Sequence, residues 1–108
     1  MNYRSTFTRF LLAGVCAVYA SAAVGAHSFN GEAGFKEHCA SCHAGGGNIF
    51  NPAKTLSKSD REKNGILTAE DILRIMRKPG EDMTVFDEKT LPDVEAKSIA
   101  EFILTTFR

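Results

Sequence analysis

The chain has 108 residues, with 13 basic and 13 acidic side chains and a formal charge of zero. That length allows one small domain. The charge balance excludes the cationic surface that nucleic-acid binding requires, and the absence of any internal repeat excludes a solenoid. Arg4 and Arg9 flank a charge-free start, Phe10 to Ala20 is an apolar run, and small residues follow, which is the pattern of a secretory leader. Ala20-Ser21-Ala22 and Val24-Gly25-Ala26 both offer small residues at the positions a signal peptidase reads. Cleavage is expected after Ala26, giving a signal peptide over 1–26 and a single domain over 27–108. The alternative is an uncleaved anchor, but Phe10 to Ala26 is interrupted by Gly14, Ser21 and Gly25 and is short against the ~20 apolar residues of a spanning helix. The mature chain is therefore expected in the periplasm, without a membrane span, or in the thylakoid lumen if its source is photosynthetic. Its charge is minus two, because Arg4 and Arg9 are the only charged residues before Glu32.

Beyond the leader an all-α domain is expected. The first helix should start at Asn30, a good cap, and run through Glu32, Phe35 and His38 into Cys39-Ala40-Ser41-Cys42-His43. Cys-x-x-Cys-His is the spacing that attaches a haem covalently. One helical turn can bring both thiols to one edge of a porphyrin and put His43 under the iron. A thioredoxin-like redox pair has no use for the fixed histidine, and a zinc site needs four ligands. One haem c is thus the expected cofactor, with Cys39 and Cys42 as thioether tethers and His43 as an iron ligand. Cys16 leaves with the leader, so no cysteine remains for a disulfide, and the porphyrin is expected to supply much of the core of a domain this small.

Ala44-Gly45-Gly46-Gly47-Asn48 is a loop too rich in glycine for helix or strand. No Gly-Lys-Ser/Thr follows, so it is not a phosphate cradle; it lets backbone pass close to a porphyrin face or is simply flexible. A polar helix is expected from Ser57 to Asn64, stopped by Gly65. Thr68 and Asp71 resemble a capping box for a helix with Ile72, Ile75 and Met76 on one face, ending before Pro79-Gly80. The loop from Gly80 to Lys89 holds Met83 and Phe86. Thr90 and Asp93 bracket Pro92 in the first turn of a last helix, whose buried face should be Val94, Ile99, Phe102, Ile103 and Phe107.

The second axial position of the iron decides between an electron carrier and a gas-binding or peroxidatic protein. Met76 lies on an apolar helix stripe and reads as core packing. Met83 stands in a loop beside Phe86, and can be carried over the open face of the haem while the aromatic ring packs on it; it is the expected sixth ligand. His27 is the next candidate, and His38, tied to the helix leading into the motif, reads as a solvated surface histidine. No nucleophile with a base and no paired carboxylates can be placed near the iron, so an enzyme is not expected. Ala53 to Lys78 carries seven basic and four acidic residues, and Pro79 to Arg108 three and seven. That asymmetry either orients the molecule on a partner or is only helix faces meeting water.

Several elements in order carry a resemblance: Gly31 and Phe35 four apart, Phe35 four before Cys39, the haem motif with its glycines, Pro52 with Lys54-Thr55-Leu56, Asn64-Gly65, Met83 with Phe86, and Ala100-Glu101-Phe102. Over residues 29 to 108 the chain resembles the class I cytochromes c, in particular the small cytochrome c6-like group. The resemblance implies the cytochrome c fold, four to five short helices around one haem, with the first and last crossing through Gly31, Phe35 and Phe102. It implies electron transfer, with His43 and Met83 as axial ligands, Phe35, Pro52 and Phe86 in the haem pocket, and the carbonyl of Pro52 or a neighbour accepting the His43 Nδ1 hydrogen. The chain departs from the group at Thr84, where proline commonly follows the ligand methionine. It also lacks tyrosine and tryptophan after the leader, so no phenol reaches the Met83 sulfur. The expected protein is a monomer that carries single electrons between larger redox proteins. The rivals are a small-ligand sensor, in which the Met83 loop opens the iron, and a module docked permanently in a larger complex.

Overall fold

The first helix forms where Asn30 can cap it: its side-chain oxygen accepts the Ala33 N–H at 3.1 Å, and Glu32 sits in the first turn, where the helix dipole favours negative charge. The computed structural model describes residues 28–108; the expected leader, its cleavage site, Cys16 and His27 lie outside the described residues. Five helices follow in order, with no strand among the described residues: α1 Gly31–His38, α2 Ala40–His43, α3 Lys58–Lys63, α4 Ala69–Arg77 and α5 Asp93–Thr106. A 3-10 turn, Ala44–Gly46, continues from α2. The all-α expectation holds.

The local signals that place these elements are caps. Ser57 accepts the Asp60 N–H at 3.3 Å and opens α3. Asn64 and Gly65 close it, Gly65 at φ +70°, a left-handed position that glycine takes without a Cβ penalty. Thr68 and Asp71 form the reciprocal capping box of α4, with Asp71 N–H to Thr68 Oγ1 at 3.1 Å and Thr68 N–H to Asp71 Oδ2 at 3.0 Å. Helix α4 ends at Arg77, ahead of Pro79.

Two expectations about α5 need correction. Pro92 is the N-cap residue rather than part of the first turn, and no side chain caps this helix. Thr90 instead donates its hydroxyl to Asp87 Oδ1 at 2.9 Å, inside a turn that the Asp87 carboxylate organises. Val94 is 74% exposed. The buried stripe is Ala96, Ile99, Ala100 and Ile103, the i, i+3, i+4, i+7 pattern of one helix face, and a residue two positions before Ala96 falls on the opposite side of a 3.6-residue helix.

Helix α5 packs against both α1 and α4. Its crossing with α1 is close because Gly31 has no side chain: a Cβ there would meet the Ser98 carbonyl oxygen at 2.1 Å. Beside it the rings of Phe35 and Phe102 lie 5.3 Å apart and those of Phe35 and Phe107 5.4 Å apart, within the range of favourable aromatic pairs. The core continues through Met76, Leu91, Ala96 and Ile99, each 3% exposed or less.

Candidate haem site

Helices α2 and α4, the loop 47–56 and the loop 80–86 enclose a cavity of about 640 Å³. Cys39, Cys42, His43, Met83 and Phe86 all line it. Cys39 follows α1 directly, its N–H bonded to the Phe35 carbonyl at 2.9 Å, and α2 carries Cys42 and His43 in the next turn. Both cysteines are free thiols. Burial pushes the Cys39 thiol up to about 11, so it is protonated at neutral pH.

His43 is half-buried, and its Nδ1 lies 2.8 Å from the Gly47 carbonyl oxygen. A carbonyl only accepts, so Nδ1 carries the hydrogen and Nε2 keeps its lone pair free for a metal. The acceptor is therefore Gly47, at the end of the 3-10 turn, and not Pro52, which is exposed and absent from the cavity wall.

The glycine loop is ordered, and Asn48 orders it. Its Oδ1 accepts the N–H groups of Phe50 and Asn51, both at 3.0 Å, and its Nδ2 donates to the Lys54 carbonyl at 3.0 Å. Leu56 N–H closes back on Gly46 O at 2.7 Å. Gly46 sits at φ +81°, and a Cβ on it would be 2.5 Å from the Phe107 ring. Both facts require glycine there.

Met83 is half-buried in a loop fixed on its far side: Phe86 N–H donates to the Met76 carbonyl at 2.9 Å, and Arg77 donates to the Phe86 carbonyl at 2.7 Å. Met76 is 3% exposed, as core packing requires, yet it too lines the cavity. His38 corrects its sequence reading. Its side chain is 23% exposed and its ring stands edge-on to Phe86, 6.0 Å between centroids, in the cavity wall. Phe35 packs with Phe102 and Phe107, away from the cavity lining.

The donor set fits a haem: two thiols, an imidazole with a free lone pair and a thioether, in a cavity whose wall combines apolar residues such as Ile72, Ile75 and Ile103 with polar and charged ones. The family model described as cytochrome c oxidase, cbb3-type, subunit III matches residues 29–103. Cytochrome c6 of Nostoc sp. is 37% identical over 86 residues, covering 80% of this chain and 77% of the relative. Among solved structures, the outer-membrane cytochrome OmcF of Geobacter sulfurreducens superposes with a TM-score of 0.71 at 40% identity, covering 73% of this chain and all of that one. Cytochrome c6C of Synechococcus sp. gives 0.67 at 30% identity, over 71% and 93% of the two chains. The chain belongs to the class I c-type cytochromes, the small monohaem group that includes cytochrome c6. It is a monohaem electron carrier, and its cofactor is covalently attached haem c. No helix among the described residues is long and apolar enough to cross a membrane.

Three groups with consequences for the site escape sequence reasoning: Gly47, Asn48 and Arg61. For Asn48 a signal existed, since asparagine after glycines favours a side-chain-to-backbone turn. For Arg61 none did, because a basic residue in a polar helix reads as solvated.

Proposed function

We propose that Cys39 and Cys42 hold the haem through thioether bonds, that His43 Nε2 and the Met83 sulfur are its axial ligands, and that the protein passes single electrons between larger redox proteins outside the cytoplasmic membrane. The observation that carries the proposal is the convergence of all four side chains on one cavity, with the His43 tautomer set by Gly47. The haem iron supplies the chemistry, a reversible one-electron change between ferric and ferrous states.

The protein's part is to hold the ligands still. The Gly47 carbonyl fixes the imidazole plane and raises its basicity. Phe86, bonded at both its N–H and its carbonyl, ends the Met83 loop on α4 and restrains it where Thr84 cannot act as a proline would. Two permanent axial side chains leave no position for a substrate, which supports a carrier over a sensor and gives no role for catalysis. Location in the periplasm, and a monomeric state, are part of the same reading.

The test is the absorption spectrum of the ferric holoprotein, produced in a host that attaches haem c. The weak long-wavelength band of iron bound to methionine sulfur is expected in the wild type and absent in Met83→Ala. A wild type without that band would overturn the ligand assignment. Tight carbon monoxide binding by the ferrous wild type at neutral pH would turn the reading to a sensor.

A further inference from the structure

We infer that Arg61 is the anchor for a propionate carboxylate of the haem. The inference rests on the haem occupying the cavity and is independent of which residue is the sixth ligand. Among the described residues Arg61 is the one charged or polar side chain in the buried class, 5% exposed. Arginine is almost never buried this far without an anion. Nε donates to the Leu56 carbonyl at 2.8 Å and Nη2 to the Phe107 carbonyl at 3.1 Å, both neutral acceptors. Its neighbours on α3 do not serve as counter-ions: Asp60 bonds Thr55 and lies 3.9 Å from Lys63, and Glu62 lies 3.8 Å from Lys58.

A guanidinium has five N–H donors, and the two contacts above use two of its nitrogens. Every side-chain nitrogen sealed from solvent among the described residues has a partner, and Nη1 makes no hydrogen bond to a described residue, in contrast to Nε and Nη2. Arg61 lines the haem cavity. The charged groups in that wall are Lys54, Arg74 and Lys78 on one side of the balance and Glu81 and Asp82 on the other, all exposed, with His38 and His43 as the titratable rings. Arg61 also lines a second, smaller hollow together with Lys58, Glu62 and Arg108, and it forms no ion pair with Glu62, which lies 3.8 Å from Lys58. No carboxylate of the described chain reaches the buried guanidinium. The haem brings two, and the planar fork of arginine matches a carboxylate.

The consequences are electrostatic. A buried cation beside a propionate keeps that carboxylate ionised to lower pH and favours the ferrous state of the nearby iron, which carries one positive charge less. The test is a pH titration by NMR of holoprotein whose haem is carbon-13-labelled at the propionate carboxyls, with the reduction potential measured across the same range. One propionate of the wild type is expected to stay ionised well below the ordinary carboxylate range. In Arg61→Met its ionisation constant should fall about tenfold or more, the potential should drop, and the potential should acquire a pH dependence where that group titrates; Arg61→Lys should restore the ionisation. A residue that only latches the chain end through Leu56 and Phe107 would lower the stability of Arg61→Met and leave the propionate titration unchanged, and that result would overturn the inference. So would two propionates titrating as free carboxylates in the wild type, a result that needs no variant to fold. Loss of the long-wavelength band in the wild type would sink Met83 as ligand and leave this titration standing.

Discussion

His43 is told which nitrogen to offer by a carbonyl four residues further on, and that carbonyl is in place because Gly46 turns the chain where an L residue is strained. Gly45 and Gly46 both have positive φ, but a Cβ on Gly45 meets nothing within 4 Å, whereas one on Gly46 drives into the Phe107 ring. Gly45→Ala should therefore cost about 1 kcal/mol from backbone strain alone, and Gly46→Ala more than ~2 kcal/mol, strain plus overpacking. Thermal unfolding of the two holoproteins checks the order. Pro52→Ala should leave the ferric spectrum unchanged, since Pro52 neither lines the cavity nor accepts from His43. At this scale the haem c cofactor was legible from the Cys-x-x-Cys-His spacing, because that signal lies within one helical turn. The acceptor for His43 was not, because it depends on the path of a glycine loop whose turns are set by Asn48 and by a ring from the far end of the chain.

Helix ends were legible for a related reason: a cap is written within four residues. The Thr68–Asp71 box is the clearest case, and it has a pH signature. The N–H of Leu67 first, then Arg74 and Thr68, hold the Asp71 carboxyl well below the ordinary value of 3.8. A carboxyl lowered in the folded state adds stability that is full above its unfolded value and is lost as pH falls towards the lowered one. Asp87, held down by the Thr90 N–H, and Asp60, by the Thr55 hydroxyl, act in the same direction. Acid unfolding should set in below about pH 4, and Asp71→Asn should flatten the decline in midpoint temperature over that range; an unchanged decline would remove Asp71 from the account. Between α4 and α5 a second element depends on one side chain. Arg77 donates to the carbonyls of Phe86 and Leu91 and pairs with Asp93 at 2.5 Å. Arg77→Met should cost about 2 kcal/mol and loosen the Met83 loop, seen as carbon monoxide binding by the ferrous variant that the wild type lacks. Sequence alone offered no route to this strut, since its acceptors are backbone carbonyls nine and fourteen residues away. The Val94 position was misjudged because residues spaced i, i+5, i+8 describe a helix face less sharply than the small Ala96 and Ala100 that define the buried one.

On the scale of the molecule, the cavity lies against the packed core and takes up space that further apolar side chains would otherwise fill. The residues on its wall include Ile72, Met76 and Ile103, each 7% exposed or less, and no disulfide joins the described cysteines. Domains of this size have little stability in reserve, of the order of 5–15 kcal/mol, and an unfilled space of this extent removes packing from their centre. A Cys39→Ala, Cys42→Ala variant is expected to lack a cooperative unfolding transition like that of the holoprotein, by circular dichroism; a matching transition would show that the polypeptide folds without its cofactor. The aromatic cluster of Phe35, Phe102 and Phe107 joins the two ends of the described chain, and Phe107 also covers Gly46 while its carbonyl accepts from Arg61. Ribosomes make the chain from its N-terminus, so Cys39 and Cys42 emerge more than sixty positions ahead of Phe107. During that interval the glycine turn lacks its lid and Cys39 lacks the burial that raises the pKa of its thiol. A chain exported N-terminus first thus presents both thiols before Phe102 and Phe107 pack on Phe35 and close the enclosure behind them.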